Sequence, residues 1–167
     1  MRVLIMAMLA TLPVFGQAYY GNWAVDRSED GDYYAVTVND SNRTLMQTCT
    51  EDGCAWALIL PKACKEDAKY AVMAASDAPD DNVVVTELVC LSGKPHKDGF
   101  GYALLDFDRI DALIRNPKAK RVGFTYALSD GDFMVVHFNV DGAAEAVQAM
   151  QGQAGAAKKL NTRDRIL

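Results

Sequence analysis

The stretch LMQTCTEDGCAWALIL, residues 45–60, places two cysteines on either side of a turn signal. Thr50-Glu-Asp-Gly53 consists of residue types that form turns, and apolar runs flank it on both sides. The pattern predicts a β-hairpin whose strands run from Arg43 to Cys49 and from Cys54 to Leu60. In such a hairpin Cys49 and Cys54 face each other at the short distance that a disulfide requires.

The chain contains four cysteines, Cys49, Cys54, Cys64 and Cys90. Residues 1–18 have the pattern of a secretory signal, and in an exported chain an even count of cysteines favours disulfides, for which three pairings are possible. We favour Cys49 with Cys54 and Cys64 with Cys90; the second bond spans 26 residues (90 minus 64) and contributes about 3 kcal/mol by restricting the unfolded chain. Redox-active pairs have two residues between their cysteines and zinc sites have paired ligands, so these spacings argue against thiol catalysis and against a metal site.

The N-terminus has the pattern of a secretory signal peptide. Arg2 supplies a positive charge, Val3 to Phe15 is almost wholly apolar, and Gly16-Gln-Ala18 offers the small residues of a cleavage site. This run is shorter than the about 20 residues that span a bilayer, so we expect no stable membrane anchor and a periplasmic or secreted location. The sequence thus predicts a signal peptide (1–18), a single disulfide-stabilised β-rich domain (19–152) and a mobile C-terminal tail (153–167).

The charge of the chain argues against nucleic acid as a partner. The 167 residues carry a formal net charge of −5, and loss of Arg2 with the signal peptide makes it −6. The basic runs Lys118-Ala-Lys-Arg121 and Lys158-Lys159 are too short to neutralise many phosphates. Gly99-Phe-Gly101 lacks the third glycine of a phosphate-binding loop, so we expect no nucleotide and no other cofactor.

Strand patterns dominate the rest of the chain. In the segment Asn82 to Leu91 the two faces look largely buried; one has Val83, Val85, Glu87 and Val89, and the other has Val84, Thr86, Leu88 and Cys90. Turn signals separate the predicted strands, which are 20–26, 32–38, 43–49, 54–60, 69–76, 82–91, 120–128 and 132–140.

Two short helices are expected in the C-terminal half. Asp106 or Asp108 can cap a segment whose stripe is Phe107, Ile110, Leu113 and Ile114, and Asn116-Pro117 ends it. The second helix begins at Asp141 or Gly142 and has a weaker stripe of small residues that reaches Met150. Together these elements predict an α+β fold, mainly antiparallel β, arranged as a sandwich or a partly closed barrel.

Candidate binding residues lie in two polar loops. Asp77, Asp80 and Asp81 occupy the turn between two predicted strands, and His96 lies in the loop from Ser92 to Gly99. Acidic residues also suit acid–base hydrolysis if the fold brings two of them together; the candidates are Asp77, Asp80, Asp81, Asp106, Asp108 and Asp111. The chain has no G-x-S-x-G motif and its cysteines are expected to be bonded, so no catalytic residue is assigned.

One stretch imitates a calcium-binding loop. Asp26 to Asp32 has oxygen-bearing residues at alternate positions and glycine at the sixth, but the twelfth position is Thr37 instead of a bidentate Glu. A solvated hairpin turn is therefore favoured there, and no metal is expected.

Three pieces of the sequence resemble the bacterial invasion-associated locus B family. They are Gly21-Asn-Trp23-Ala-Val25, the Cys49-x3-Gly53-Cys54-Ala55 element, and the closing succession of helix, two strands and Gly142-Ala-Ala-Glu-Ala146. The resemblance implies a periplasmic or surface-exposed, β-rich bacterial protein linked to host interaction. It carries no catalytic residues to transfer.

These observations favour an exported, non-catalytic envelope protein that binds another protein through a loop or an exposed strand edge. Two alternatives stay open. One is an inhibitor or immunity protein of an envelope enzyme, and the other is a small hydrolase that uses paired carboxylates. The sequence makes no prediction of the oligomeric state.

Overall fold

The structure, a computed structural model, describes residues 17–50, 52–79, 83–95, 98–127 and 133–163, with side chains to residue 156. Of the predicted signal peptide, Gln17 and Ala18 fall within these ranges, and Ala18 is the first residue of the first strand. Residues 1–16 and the predicted turn at 129–131 lie outside them.

Antiparallel strands dominate the fold, as the sequence predicted. Two helices accompany them: α1 (Phe107–Ile114) and α2 (Ala143–Arg163). The strands of the described chain are β1 (Ala18–Tyr20), β2 (Trp23–Arg27), β3 (Tyr33–Val38), β4 (Thr44–Cys49), β5 (Cys54–Leu60), β6 (Lys69–Ser76), β7 (Val83–Cys90), β8 (Phe100–Leu104), β9 (Arg121–Ala127) and β10 (Phe133–Asn139).

All these strands belong to one sheet, so the fold is not a two-sheet sandwich. The order is β1-β2-β3-β4-β5-β8-β7-β6-β9-β10, and every neighbouring pair is antiparallel. Strand β8, which the sequence did not predict, lies between β5 and β7 and joins the N-terminal meander to the remaining strands. Helix α1 then connects β8 to β9 and packs on β5, β6 and β7.

The hydrophobic core lies between the inner face of the sheet and the two helices. Helix α1 buries Ile110, Leu113 and Ile114, which is the stripe predicted from the sequence. Helix α2 packs on β1 to β4 and buries Val147 and Met150. This helix continues to Arg163, well beyond the predicted apolar stripe and into the segment expected to be a tail.

The two ends of the sheet approach each other at a pair of glycine turns. The predicted first strand is interrupted at Gly21, whose φ of 56° starts a turn between β1 and β2. This turn lies against Gly142, where the chain passes from β10 to α2, and Asn22 donates a backbone hydrogen bond to Asp141 at 3.3 Å. The indole Nε1 of Trp23 also donates to the carbonyl of Asn139 at 3.3 Å. The sheet is therefore strongly curled, although no ladder joins β1 to β10.

Both disulfides have the pairing predicted from the sequence. Cys49 bonds to Cys54 across the β4–β5 hairpin, with the two Cα atoms 4.0 Å apart. Cys64 bonds to Cys90 with a Cα separation of 6.0 Å. The second bond ties the end of β7 to the loop before β6.

Candidate functional site: an exposed apolar sheet face

The outer face of β6, β7, β9 and β10 presents a row of side chains that runs straight across the four strands. Val85 on β7 faces Met73 on β6, Met73 faces Thr125 on β9, and Thr125 faces Val135 on β10. Side chains directly opposite each other on antiparallel strands are close enough to touch. The row is thus one continuous surface. A neighbouring row consists of Val83, Ala75, Gly123 and His137.

We call this surface the outer apolar face and define it by five exposed side chains. Their exposed fractions are 44% for Met73, 47% for Val83, 66% for Val85, 70% for Phe133 and 51% for Val135. Valine and phenylalanine suit strands, so local propensity is satisfied at these positions without burial. Both helices pack on the inner face of the sheet, so neither of them covers the outer apolar face.

Charged groups lie only at the borders of the outer apolar face among the described residues. Lys69 and Glu87 form an ion pair at 3.0 Å on one side, and Arg121 begins β9 on the other. The positions between them on β6 and β9 are Ala71, Met73, Ala75, Gly123, Thr125 and Ala127. A patch without charge on a chain of net charge −5 is a region where another surface can approach without repulsion.

The imidazole of His137 lies flat against this face. A Cβ atom at Gly123, the cross-strand partner of His137, would be 3.0 Å from Cδ2 and 3.2 Å from Nε2 of that ring. The ring therefore uses the space that a side chain at position 123 would fill. The carbonyl of His137 accepts a hydrogen bond from Nδ2 of Asn39 at 2.9 Å.

The exposure of this face corrects one expectation from the sequence. Both faces of the strand that contains Val83 and Val85 looked buried, but only the face with Val84, Leu88 and Cys90 is. The reason is that the described residues supply only two helices to a sheet of this width, and both lie on the same side. The predicted number of helices was already too small to cover both faces of the predicted strands, so the exposed face could have been expected from the sequence.

The predicted binding residue Asp77 lies at the end of β6, where it holds the chain as it enters β9. Its Oδ1 accepts hydrogen bonds from the backbone N–H groups of Lys120 at 2.8 Å and Arg121 at 2.9 Å. These two backbone donors, that of Arg121 first, lower the pKa of Asp77 below its usual value. The other predicted binding residues, Asp80, Asp81 and His96, lie outside the described residues.

Asp111 on α1 is the centre of a polar network on the inner face. Its Oδ1 accepts hydrogen bonds from Nε2 of Gln47 at 3.0 Å and Nε1 of Trp56 at 3.2 Å, and its Oδ2 pairs with Arg115 at 3.0 Å. Gln47 is fully buried and in turn accepts a hydrogen bond from Gln151 on α2. The carboxylate therefore connects α1 to the sheet and, through Gln47, to α2.

The other carboxylates of α1 lie apart from this network. Asp106, at the N-cap, bonds to Arg109 at 3.0 Å and makes no side-chain cap, and Asp108 is exposed in the first turn. Among the described carboxylates proposed for acid–base chemistry, Asp77, Asp106 and Asp111 are each hydrogen-bonded to structural donors. Asp77 binds backbone N–H groups, Asp106 binds a side chain of its own helix, and Asp111 binds buried side chains of the core.

The turn that imitates a calcium loop borders a surface cleft of about 380 Å³. Arg27 occupies part of it: its guanidinium lies 5.3 Å from the centre of the Tyr33 ring, and its Nε donates to the carbonyl of Gly31 at 2.9 Å. In the described part of the chain, no group of three or more His, Cys, Asp or Glu residues has a metal-binding arrangement.

Neither helix of the described chain combines the length and apolar character needed to cross a bilayer. The outer apolar face is a feature typical of a binding protein, and sequence analysis did not identify it.

Comparison with known proteins supports the resemblance noted from the sequence at the level of the fold. No protein-family model and no curated protein sequence matches the chain. The fold is similar to the crystal structure of invasion associated protein b from Bartonella henselae, with a TM-score of 0.61 and 15% sequence identity. The match covers 83% of this chain and 98% of that protein. The fold of this chain is therefore that of the invasion-associated protein B structure.

Proposed function

We propose that this chain is an exported, non-catalytic bacterial envelope protein that binds another protein through the outer apolar face. The observation that carries the proposal is the alignment of Val85, Met73 and Val135 in one exposed, uncharged row. Exposed apolar patches on soluble proteins mark interaction sites, because water-exposed apolar area is stabilised by a partner that covers it.

Two further observations support export and a role in host interaction. Disulfides form and persist in oxidising compartments, and the described domain has two of them and no free cysteine among its described residues. The similar Bartonella structure is that of a protein described as invasion associated. This fold and the outer apolar face are consistent with a protein that binds a partner outside the bacterial cytoplasm.

The apolar side chains of the face set the size of the expected effects. Full burial of one Val or Met side chain contributes roughly 1.5–3 kcal/mol. A charge at the centre of the row removes that contribution and adds a desolvation cost. Val85→Glu is therefore expected to weaken partner binding at least about tenfold, which corresponds to about 1.4 kcal/mol.

The test uses the oxidised protein from residue 19 onward as immobilised bait. Envelope proteins of the source bacterium and surface proteins of host cells are passed over it, and captured proteins are identified by mass spectrometry and titrated individually. Leu91→Glu is the matched control, because Leu91 is also an exposed aliphatic residue (52%) but lies after the end of β7, beyond the Lys69–Glu87 pair that borders the face.

The proposal expects capture by the unmodified protein and by Leu91→Glu, and loss of capture by Val85→Glu. Circular dichroism of both variants has to show the native spectrum. Capture that survives Val85→Glu and Met73→Glu would show that the partner binds elsewhere.

A further inference from the structure

Described residues leave the free edge of β10 open over half of its length. β10 is the last strand of the sheet, and its odd-numbered residues direct their backbone groups away from β9. Two observations establish this direction: the next even-numbered residue, Val140, donates to Lys120 on the β9 side at 3.0 Å, and the carbonyl of Asn139 accepts from Trp23 on the far side.

The C-terminal half of this edge is covered by side chains from the opposite end of the sheet. Asn39 donates to the carbonyl of His137, and Trp23 donates to that of Asn139. No hydrogen bond from a described residue reaches the outward-facing backbone groups of Phe133 and Val135. As whole residues these two are also 70% and 51% exposed.

Natural sheets protect their edges with charges, prolines, bulges or very short strands. The other edge of this sheet follows the rule, because β1 has only three residues. Strand β10 breaks it: its sequence FMVVHFN contains no proline and no Asp, Glu, Lys or Arg, and its pairing with β9 is one-to-one over seven residues without a bulge. An unprotected edge of this kind is suited to pairing with an added strand.

We propose that the open half of β10 pairs with the same segment of a second copy of this chain, so that two sheets join edge to edge around a twofold axis. The segment is its own apolar complement, and this favours a second copy as the occupant: a twofold axis places Phe133 of one copy beside Val135 of the other. Because β10 carries no charged residue, this contact adds no local repulsion between two chains of net charge −5.

The covered carbonyls fix the register of this dimer. Because His137 and Asn139 are engaged, the pairing uses Phe133 and Val135 alone, and the antiparallel twofold places Phe133 of one copy opposite Val135 of the other. Each dimer then contains two aromatic–valine cross-strand pairs, a favourable combination on a sheet surface. The contact is small for a stable dimer, so we expect a dissociation constant on the order of 100 µM.

The inference goes beyond the proposed function, with which it shares only Phe133 and Val135 of the outer apolar face. The dimer uses the edge of β10, whereas Val85 and Met73 on β7 and β6 stay open to a partner protein. A monomeric protein would still be able to bind through the outer apolar face, and a dimeric one would still have that face exposed.

The test measures mass by sedimentation velocity of the oxidised protein from about 5 µM to 1 mM. The expected result is a concentration-dependent dimer whose dissociation constant rises at least tenfold in Val135→Lys, because Lys on an edge strand opposes pairing. Val85→Lys is the matched control. It places the same charge on the same face but away from the edge, and is expected to leave the dimer unchanged.

Hydrogen exchange supplies a second, independent readout. The amides of Phe133 and Val135 are expected to become protected as concentration rises, since they gain partners only in the dimer. A monomer at 1 mM, a dimer that Val135→Lys leaves intact, a dimer that Val85→Lys disrupts equally, or amide protection that does not change with concentration would each overturn the proposal.

Discussion

The contact between the two glycine turns predicts that Gly142→Ala strongly destabilises the fold. Gly142 has a φ of 85°, a conformation that residues with a Cβ atom adopt only with strain. A Cβ atom there would lie 2.1 Å from the carbonyl oxygen of Tyr20 and 2.5 Å from its carbonyl carbon. These are backbone atoms, so no flexible side chain can move to relieve the overlap, and the two turns have to separate.

The size of the effect follows from what this separation breaks. The left-handed conformation of a non-glycine residue costs about 1–2 kcal/mol. Separation of the turns also lengthens the hydrogen bond from Asn22 to Asp141 and the bond from Trp23 to Asn139, and each such bond contributes about 0.5–1.5 kcal/mol. The expected loss in the free energy of unfolding is therefore about 2–5 kcal/mol, a large share of the 5–15 kcal/mol typical of a domain.

Urea unfolding followed by tryptophan fluorescence measures this loss. Trp23 and Trp56 are fully buried, with ring centroids 6.0 Å apart, so unfolding moves both indoles into water. Gly152→Ala is the matched control: it makes the same chemical change in the exposed part of α2, where a Cβ atom has nothing within 4 Å. Because alanine favours helix, this variant should gain about 0.5–1 kcal/mol.

The reasoning is refuted if Gly142→Ala loses less than about 1 kcal/mol in urea unfolding, because strain alone costs that much. It is refuted equally if Gly152→Ala loses as much stability as Gly142→Ala. That result would mean that the sensitivity comes from loss of any glycine and has nothing to do with contact between the turns.

Three side chains give further predictions. Burial, and then the neighbouring Tyr70 and Tyr126, raises the pKa of Tyr102 to about 12, whereas a tyrosine in the unfolded chain has a pKa near 10. The free energy of unfolding should therefore fall between pH 10 and 12. In urea titrations Tyr102→Phe should reduce the slope of that fall by up to about 1.4 kcal/mol per pH unit. Backbone donors lower the pKa of Asp77, so the stability that this carboxylate contributes is present above about pH 4 and is lost as the pH falls below that value. The difference in the free energy of unfolding between wild type and Asp77→Ala should therefore narrow from about pH 5 to about pH 2. A difference that stays constant would contradict this. Asp111→Ala leaves the buried donors of Gln47 and Trp56 without an acceptor, so urea unfolding should show that the free energy of unfolding falls by about 2–5 kcal/mol. Asp111→Asn keeps an acceptor oxygen and should restore part of this loss. Equal losses in the two variants would contradict the network.

Much of the fold could be predicted from local sequence patterns. The hairpin at Cys49 to Cys54, both disulfide pairs and the buried stripe of α1 all follow from spacing and turn chemistry, and the structure confirms them. These features depend on residues near each other in the chain or on the restricted geometry of a disulfide.

Strand β8 could not be found in the same way, for a physical reason. Phe100-Gly-Tyr-Ala-Leu104 contains a weak strand former at its second position, and its strand geometry depends on partners from distant parts of the chain. Tyr102 pairs with Leu58 on one side and Cys90 on the other. These long-range contacts set the strand order, and the alternation of apolar and polar residues along a single strand does not predict them.

The candidate site was missed because exposure is a property of the whole fold. The alternation around Val83 and Val85 is the same whether a helix covers one face or both. The predicted binding residue Asp77 illustrates the converse: an acidic residue in a turn looked free to bind a partner, but its carboxylate holds the backbone of Lys120 and Arg121. Sequence identifies polar loops more readily than an uncovered sheet.

The glycine contact and the open edge of β10 are parts of one arrangement, and this connects stability to self-association. The contact at Gly142 keeps Trp23 and Asn39 close to β10, where their side chains occupy the carbonyls of Asn139 and His137. If Gly142→Ala separates the turns, both carbonyls are freed, and the unprotected edge doubles from two outward-facing residues to four. Since longer free edges pair more readily, this variant should be less stable and should also associate at lower concentration than the wild type. Sedimentation velocity below the unfolding midpoint tests this, and Val135→Lys in the same background should reverse the association without restoring the lost stability. An unchanged association constant in Gly142→Ala would show that the glycine contact does not protect the edge of β10.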